Sequence, residues 1–530
     1  MSALPVLRSD ESGAAETPLA GGRDLLRFIT CGSVDDGKST LIGRLLYDSG
    51  HLFEDQLGAL AQDSVQMGTQ GGGLDLALAL DGLAAEREQG ITIDVAYRYF
   101  STARRSFIVA DTPGHEEYTR NMATGASTAD AAILLVDVRK GVTTQTRRHA
   151  VLVGMLGIRH LVLAVNKMDL VGFEPAAFER VLGEALALAQ SLGVGVTGIP
   201  IAALTGDNVT TRSTAMPWYE GPCLLEWLEE VDVQTVDAAD GLRFAVQHVS
   251  RPDSSFRGYA GLVTGGPVWI GQSVTILPSG RTTHVNRIVT YDGDLDIASP
   301  GQSVTLVLDG EADVSRGSVI VAGTRPPLTE RLGARLFWMS SAPLKPGDAY
   351  LAKIGTQFVP ASVSAISGRI ALEPLGEEPA AELAANDIGD VVITFDRKIV
   401  AERYRDGREL GSLILVERDT YATVAMGLVQ NAAPAAPSPP PERRAANDNA
   451  AWLANPFATA WRSMAKTVTW RLLGTFLTVL VAYAVTQNLH LALLIGGIEV
   501  LAKFVLYFGH ERLWARIGMG LRPAARDGQP

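Results

Sequence analysis

Cysteine is nearly missing: of 530 residues only Cys31 and Cys223 are cysteines, far apart and outside any Cys-x-x-Cys or Cys/His cluster. This excludes a disulfide framework and a structural zinc site, and it fits a reducing compartment. A surplus of positive charge is missing too, because 46 Lys and Arg face 58 Asp and Glu for a net charge of -12. Chains built to grip phosphate backbones carry the opposite sign, so no nucleic acid is expected as a partner. Residues 1–24 lack an apolar run and read as a flexible lead rather than a secretory signal, which places the domains after it in the cytoplasm. There is no internal repeat. At about 150 residues per domain, the length predicts three or four domains.

What is present changes along the chain. From Leu25 to about Leu228, apolar runs (Leu25–Cys31, Phe107–Ala110, Ala131–Val136, Leu161–Val165) alternate with helical patterns such as Phe178–Leu192. Parallel strands with crossover helices give that alternation, so an α/β domain is predicted over residues 25–235. From Gly241 the pattern becomes short Val-, Ile- and Thr-rich runs between turns, as in Gln272–Leu277, His284–Tyr291 and Ser303–Leu308. Two β-barrel domains are predicted, 241–325 and 326–430, with a joint near Arg325-Pro326-Pro327. Residues 431–450 are rich in Pro and Ala, too poor in large apolar side chains to pack, and read as a linker.

The tail has its own composition. Residues 451–530 carry eight basic side chains against three acidic ones, which leaves the rest of the chain more acidic still. Val468–Val485 (18 residues) and Leu489–Phe508 (20 residues) are apolar, with Thr486-Gln487-Asn488 between them. At about 1.5 Å per residue each just crosses a hydrocarbon core of about 30 Å. Basic residues flank both outer ends, so an α-helical membrane hairpin over 451–520 is predicted, with both ends on the cytoplasmic face. Glu499 and Lys503, four apart in the favourable order, can neutralise each other. The alternative is an amphipathic pair packed on the barrels or on a partner.

Gly32-Ser33-Val34-Asp35-Asp36-Gly37-Lys38-Ser39 follows a strand pattern and precedes a helical one, the setting a phosphate loop requires. Its glycines let successive N–H groups point at phosphates, Lys38 neutralises them, and the Ser39 hydroxyl is a Mg²⁺ ligand. No second phosphate loop occurs. Asp111-Thr112-Pro113-Gly114-His115 follows another buried strand, where Asp111 reaches the metal and Gly114 the γ-phosphate. Asn166-Lys167-Met168-Asp169 closes a third strand, and a carboxylate at Asp169 accepts two hydrogen bonds from guanine that adenine cannot donate. Ala202-Ala203-Leu204 follows a fourth, with the Ala203 N–H assigned to guanine O6. Gly90-Ile91-Thr92-Ile93-Asp94 reads as a switch in which Thr92 completes the metal shell beside Ser39 and Asp111. His115 is the candidate for orienting the attacking water. His51, His149, His160, His248 and His284 read as structural or surface residues.

These residues make a P-loop GTPase domain followed by two β-barrels, and the details select a branch. Elongation factors usually read Gly-His-Val-Asp-His-Gly-Lys-Thr-Thr at the first loop; residues 32–40 read Gly-Ser-Val-Asp-Asp-Gly-Lys-Ser-Thr. Together with Asp111–Met122, Gly125–Asp130, Arg139–His149 and Arg257–Gly261, this resembles the large GTPase subunit of bacterial sulfate adenylyltransferase, a translation-factor-like GTPase. The resemblance implies GTP and Mg²⁺ as cofactors and a heteromer with a small catalytic subunit. On that partner, ATP and sulfate give adenosine 5'-phosphosulfate and pyrophosphate. The family usually has serine where Ala202 stands, so weaker nucleotide affinity is expected. The segment 466–514 resembles a small family of predicted bacterial membrane proteins. Two other readings stay open: a translation elongation factor, and a membrane-bound, non-catalytic GTP-dependent scaffold.

Overall fold

The computed structural model describes residues 24–67, 74–79, 86, 92–233, 241–253, 256–310 and 312–432, with Ala482, Gln487 and His490 isolated beyond them. The chain divides into two units, Met1–Ala436 and Pro437–Pro530. The lead, the linker from 433 onward and both proposed membrane spans, those three residues apart, lie outside the described residues. Among the described residues no helix is long and apolar enough to cross a membrane.

The first sheet contains β1 (Leu25–Cys31), β2 (Ala96–Ser101), β3 (Ser106–Asp111), β4 (Ala131–Asp137), β5 (His160–Asn166) and β6 (Gly195–Pro200), in spatial order β2-β3-β1-β4-β5-β6. Only β2, at one edge, runs antiparallel to its neighbour. The other pairings are parallel. β4, Ala-Ala-Ile-Leu-Leu-Val-Asp, is buried at every position, as a central strand covered on both faces must be. Successive side chains alternate between two cores. Phe28, Ile133 and Leu135 meet Leu41, Ile42 and Leu45 of α1 (Lys38–Asp48) on one face. Ile29, Leu134 and Leu163 meet Leu152 of α4 (Thr144–Met155) and Val181 and Leu188 of α5 (Pro175–Leu192) on the other. Among the described residues, α2 (Glu54–Met67) and α3 (Thr119–Ala126) also precede α4, and α6 (Leu224–Glu230) follows β6. The parallel register sets Thr30 beside Asp111 and Asp137 beside Asn166, so the loops leaving β1, β3 and β5 emerge along one edge. That edge is where open α/β sheets bind ligands.

Two closed β-barrels follow. In the first, Ser273–Leu277, Val319–Val321, Leu242–Ala245, Gly258–Gly265, Ser303–Leu308 and Arg281–Thr290 pair in turn, and the last closes on the first. In the second the order is Ala349–Ile354, Ser412–Val416, Thr423–Asn431, Leu328–Trp338, Ile388–Val400 and Gln357–Leu372, which closes on Ala349–Ile354. Closure leaves no long unpaired edge within either ring. The second barrel also packs on the α/β domain: Phe337, Ile388 and Leu428 share the core of α4 and α5. The Tyr404 hydroxyl donates to the Leu156 carbonyl at 2.9 Å. Between the barrels, Arg243 and Glu402 form a buried ion pair at 3.2 Å.

Candidate nucleotide site

The loop after β1 turns into α1 through Gly37, whose φ of +93° is left-handed. A side chain there is strained and would also meet the Asn166 amide, so a glycine is required twice over. Lys38 opens α1 and folds back over its own loop, with Nζ donating to the Ser33 carbonyl at 2.8 Å and the Gly32 carbonyl at 3.3 Å. Burial lowers its pKa, against the pull of Asp111 and Asp36. Asp36 accepts the Ser33 N–H at 2.7 Å, and burial raises its carboxyl to about 6 despite Lys38. A side-chain anion thus already engages one donor of the loop. Val34 and Asp35 form its outer rim, half-buried and exposed respectively.

Asp111 ends β3, buried, and brings the metal candidates together. Its Oδ2 accepts from Ser39 Oγ at 3.3 Å, and Ser39 Oγ lies 3.4 Å from Thr92 Oγ1. Three hard oxygen donors on three separate segments suit Mg²⁺. Among the described residues no cluster of three His, Cys, Asp or Glu competes as a metal site, in keeping with a set that has two hydroxyls and one carboxylate. Burial raises Asp111 to about 6, with Lys38 opposing. Thr112 is locked by its hydroxyl on the Thr30 carbonyl at 2.6 Å, and Pro113 and Gly114 are buried. Gly114 packs against Lys38 Nζ and the Ser33 main chain so closely that a Cβ has no room. His115, next in the chain, is exposed and caps the short turn Glu116–Tyr118, its Nδ1 accepting the Glu117 N–H at 3.2 Å.

In the switch segment, the N–H groups of Ile93 and Asp94 both donate to Glu86 Oε1, at 3.0 and 3.3 Å, and Asn121 holds the Ile93 carbonyl at 2.8 Å. Gly90 and Ile91 lie outside the described residues.

Asn166, buried at the end of β5, braces both sides of the base region. Its Nδ2 donates to the Asp36 carbonyl at 2.8 Å and its Oδ1 accepts the Ala203 N–H at 2.9 Å. The Ala203 N–H, expected to meet guanine O6, is therefore engaged by Asn166. The next one, of Leu204, donates to no atom among the described residues. Lys167 reaches the Asp35 carbonyl and pairs with Asp137 at 3.1 Å. Asp137 is buried, yet Arg139 and Lys167 hold its carboxyl well below the usual range. Met168 is buried beneath the turn Met168–Val171, and Asp169 is half-buried on it. Ala202 is buried, with its N–H on the Asp207 carbonyl at 3.1 Å.

His149, read from the sequence as structural or surface, is fully buried beneath the phosphate loop, its Nδ1 accepting the Gly32 N–H at 3.1 Å. A main-chain N–H can only donate, so Nδ1 is the unprotonated nitrogen and Nε2 faces the Gln145 amide at 2.9 Å. Burial, followed by Lys38 and Arg148, pushes its pKa down to about 3. The signal lay in the run Arg139–His149, which carries the family pattern. Glu86 had no comparable signal.

Three family profiles match the chain. Residues 23–242 match "Elongation factor Tu GTP binding domain", 331–430 match "GTP-eEF1A C-terminal domain-like", and 464–515 match "Predicted membrane protein". The chain is 57% identical over 410 residues to "Sulfate adenylyltransferase subunit 1" of Methylorubrum populi, covering 77% of this chain and 87% of that protein. The protein of the same name from Laribacter hongkongensis is 51% identical over 417 residues, covering 78% and 87%. That from Citrobacter koseri is 52% identical over 411 residues, covering 77% and 86%.

Proposed function

The chain belongs to the sulfate adenylyltransferase subunit 1 family, and from that premise we propose that it is the GTP-hydrolysing subunit of that enzyme. It couples GTP hydrolysis to the formation of adenosine 5'-phosphosulfate and pyrophosphate from ATP and sulfate on a small catalytic partner. The observation that carries the reading is the meeting of three loops on one sheet edge. Lys38 sits in the phosphate loop, the oxygens of Ser39, Thr92 and Asp111 lie within 3.4 Å of their neighbours, and Asn166 ties the phosphate loop to the base loop. A phosphoric–sulfuric anhydride is strongly uphill to form, so a second nucleotide's hydrolysis is a reasonable source of drive.

The residues divide the work. Lys38 neutralises the β- and γ-phosphate oxygens, and the main-chain N–H groups of the loop, that of Ser33 excepted because Asp36 holds it, meet the α- and β-phosphates at the start of α1. Ser39, Thr92 and Asp111 would hold Mg²⁺, which when bound neutralises phosphate charge. Asp169 accepts from the guanine N1–H and amine, and His115, exposed beside Gly114, orients the attacking water. Thr92 connects the nucleotide state to the Ile93–Asp94 main chain held by Glu86. The domain limits 25–235, 241–325 and 326–430 are part of the same proposal. So is the tail: Val468–Val485 and Leu489–Phe508 form a hairpin that tethers these domains to the cytoplasmic face of a membrane, supported by the profile match over 464–515.

The test is co-purification with the small subunit, then GTP-dependent release of pyrophosphate from ATP and sulfate. His115→Ala should keep GTP affinity within a few-fold and lower both hydrolysis and coupled synthesis by roughly 10² to 10⁴. Pyrophosphate release indifferent to GTP would defeat the coupling and leave a GTP-binding scaffold.

A further inference from the structure

The loop that faces the guanine has lost one brace, the hydroxyl that serine supplies where Ala202 stands. One side chain grips the same loop from behind. Arg44 projects from α1, the helix that Lys38 opens, and crosses 159 residues of sequence to place Nε on the Ala203 carbonyl at 3.3 Å. Its second guanidinium nitrogen donates to the Leu204 carbonyl. The guanidinium is itself fixed: its remaining nitrogen pairs with Asp48 at 3.4 Å, one helical turn on, and the Tyr47 ring lies 5.7 Å away. Asp48 in turn accepts from Thr210 Oγ1 at 2.7 Å. Gly206, with φ of +91°, lies beside the Arg44 stem, which a Cβ there would reach at 3.6 Å. The Arg44 side chain is 18% exposed, which is low for an arginine at a domain surface.

We infer that Arg44 is a positioning residue for guanine specificity, acting through the peptide unit between Ala203 and Leu204. In a trans peptide the N–H points opposite the C=O. An arginine on the Ala203 carbonyl therefore turns the Leu204 N–H to the opposite side of the chain, away from α1. It also polarises that N–H, because a charged donor on the carbonyl strengthens the bond made by the amide. With the Ala203 N–H already held by Asn166, Leu204 presents the donor for guanine O6. One helix thus sets both ends of the nucleotide site, Lys38 at the phosphates and Arg44, under two turns later, behind the base.

The inference rests on the chain binding GTP, and the test keeps the two apart. The affinities of wild type and Arg44→Ala for GTP, ITP and 2-aminopurine riboside triphosphate are compared. ITP lacks the exocyclic amine that Asp169 reads, whereas the 2-aminopurine nucleotide lacks O6 and, with it, the N1–H, so each nucleotide is compared between wild type and variant. Arg44→Ala should weaken GTP and ITP alike by roughly 3- to 10-fold, the worth of one hydrogen bond. The 2-aminopurine nucleotide should be unchanged, as should the ratio of GTP to ITP. Adding Ala202→Ser to Arg44→Ala should restore much of the lost O6 preference. Equal weakening of all three nucleotides, or weakening of none, overturns the inference. A wild-type chain that does not prefer GTP to ATP would instead defeat the guanine reading itself.

Discussion

His149 offers the most direct check on how the phosphate loop is held. Its Nδ1 accepts the Gly32 N–H at 3.1 Å, and its pKa is depressed from 6.5 to about 3, chiefly by burial. The fold therefore needs the neutral ring. The stability this contributes is complete above pH 6.5 and is lost as pH falls from 6.5 towards 3. At pH 5, about 1.5 below the ordinary value, and at about 1.36 kcal/mol per pH unit, the loss reaches about 2 kcal/mol. His149→Asn keeps an acceptor near Nδ1 but cannot titrate, whereas His149→Ala leaves the Gly32 N–H without a partner, at about 1–3 kcal/mol. Hydrogen exchange of the β1 and α4 peptides, corrected for intrinsic rates at pH 5 and pH 7.5, reads this opening energy locally in a chain of several domains. Asp36 and Asp111, raised by burial to about 6, gain stability over the same interval in every variant, so the difference between variants reports the histidine. From pH 7.5 to pH 5 wild type should lose about 2 kcal/mol of protection relative to His149→Asn, and His149→Ala should be weakened at both pH values. An acid loss in His149→Asn equal to that of wild type would refute the reasoning, because the proton would then be going elsewhere.

Asp169→Asn should weaken GTP by roughly 10- to 150-fold, the worth of a charge-assisted hydrogen bond, and strengthen xanthosine triphosphate, which presents a carbonyl to the new amide; an unchanged GTP preference in competition binding would remove Asp169 from base recognition. Burial raises Glu409 from 4.5 to about 7 beside Thr264 and Glu402. The fold favours its protonated form, so this contribution is greatest below pH 4.5 and fades as pH rises to 7; Glu409→Gln should flatten that fall in thermal midpoint and raise the midpoint at pH 8. A chain ending at Gln430 should be soluble and hydrolyse GTP, while the full chain fractionates with membranes and resists carbonate extraction; full-length protein soluble without detergent would defeat the hairpin alone.

The parts of the fold that were legible are those in which a local rule sets the residue. β4 is legible because Ala131–Val136 is an unbroken apolar run, and the structure buries every position of the strand, Asp137 included. The barrel strands Ser273–Leu277 and Ser303–Leu308 lie within a residue of where alternation and turn residues place them, and Arg281–Thr290 starts three residues earlier than its apolar run. In the site, Gly37 and Gly114 are dictated by a backbone angle and by a close approach, both of which leave a fixed spacing in the sequence. The bonds that hold those loops in place follow no such spacing. Gly32 to His149 spans 117 residues, and Arg44 to Ala203 spans 159. Each joins a helix side chain to the main chain of a loop reached through other strands, so neither partner's neighbours reveal the other. A lone histidine on a helix face is more often a satisfied core residue than a functional one, and His149 is satisfied; what matters is that its satisfaction comes from the phosphate loop. Ala202 shows the converse limit. Read alone, its missing hydroxyl predicts a weaker site, yet Arg44 on the Ala203 and Leu204 carbonyls supports the same loop from a helix whose sequence carries no mark of it. Whether one lost brace lowers nucleotide affinity therefore depends on a second residue visible only in three dimensions, and the rescue of Arg44→Ala by Ala202→Ser measures how far the two substitute for each other.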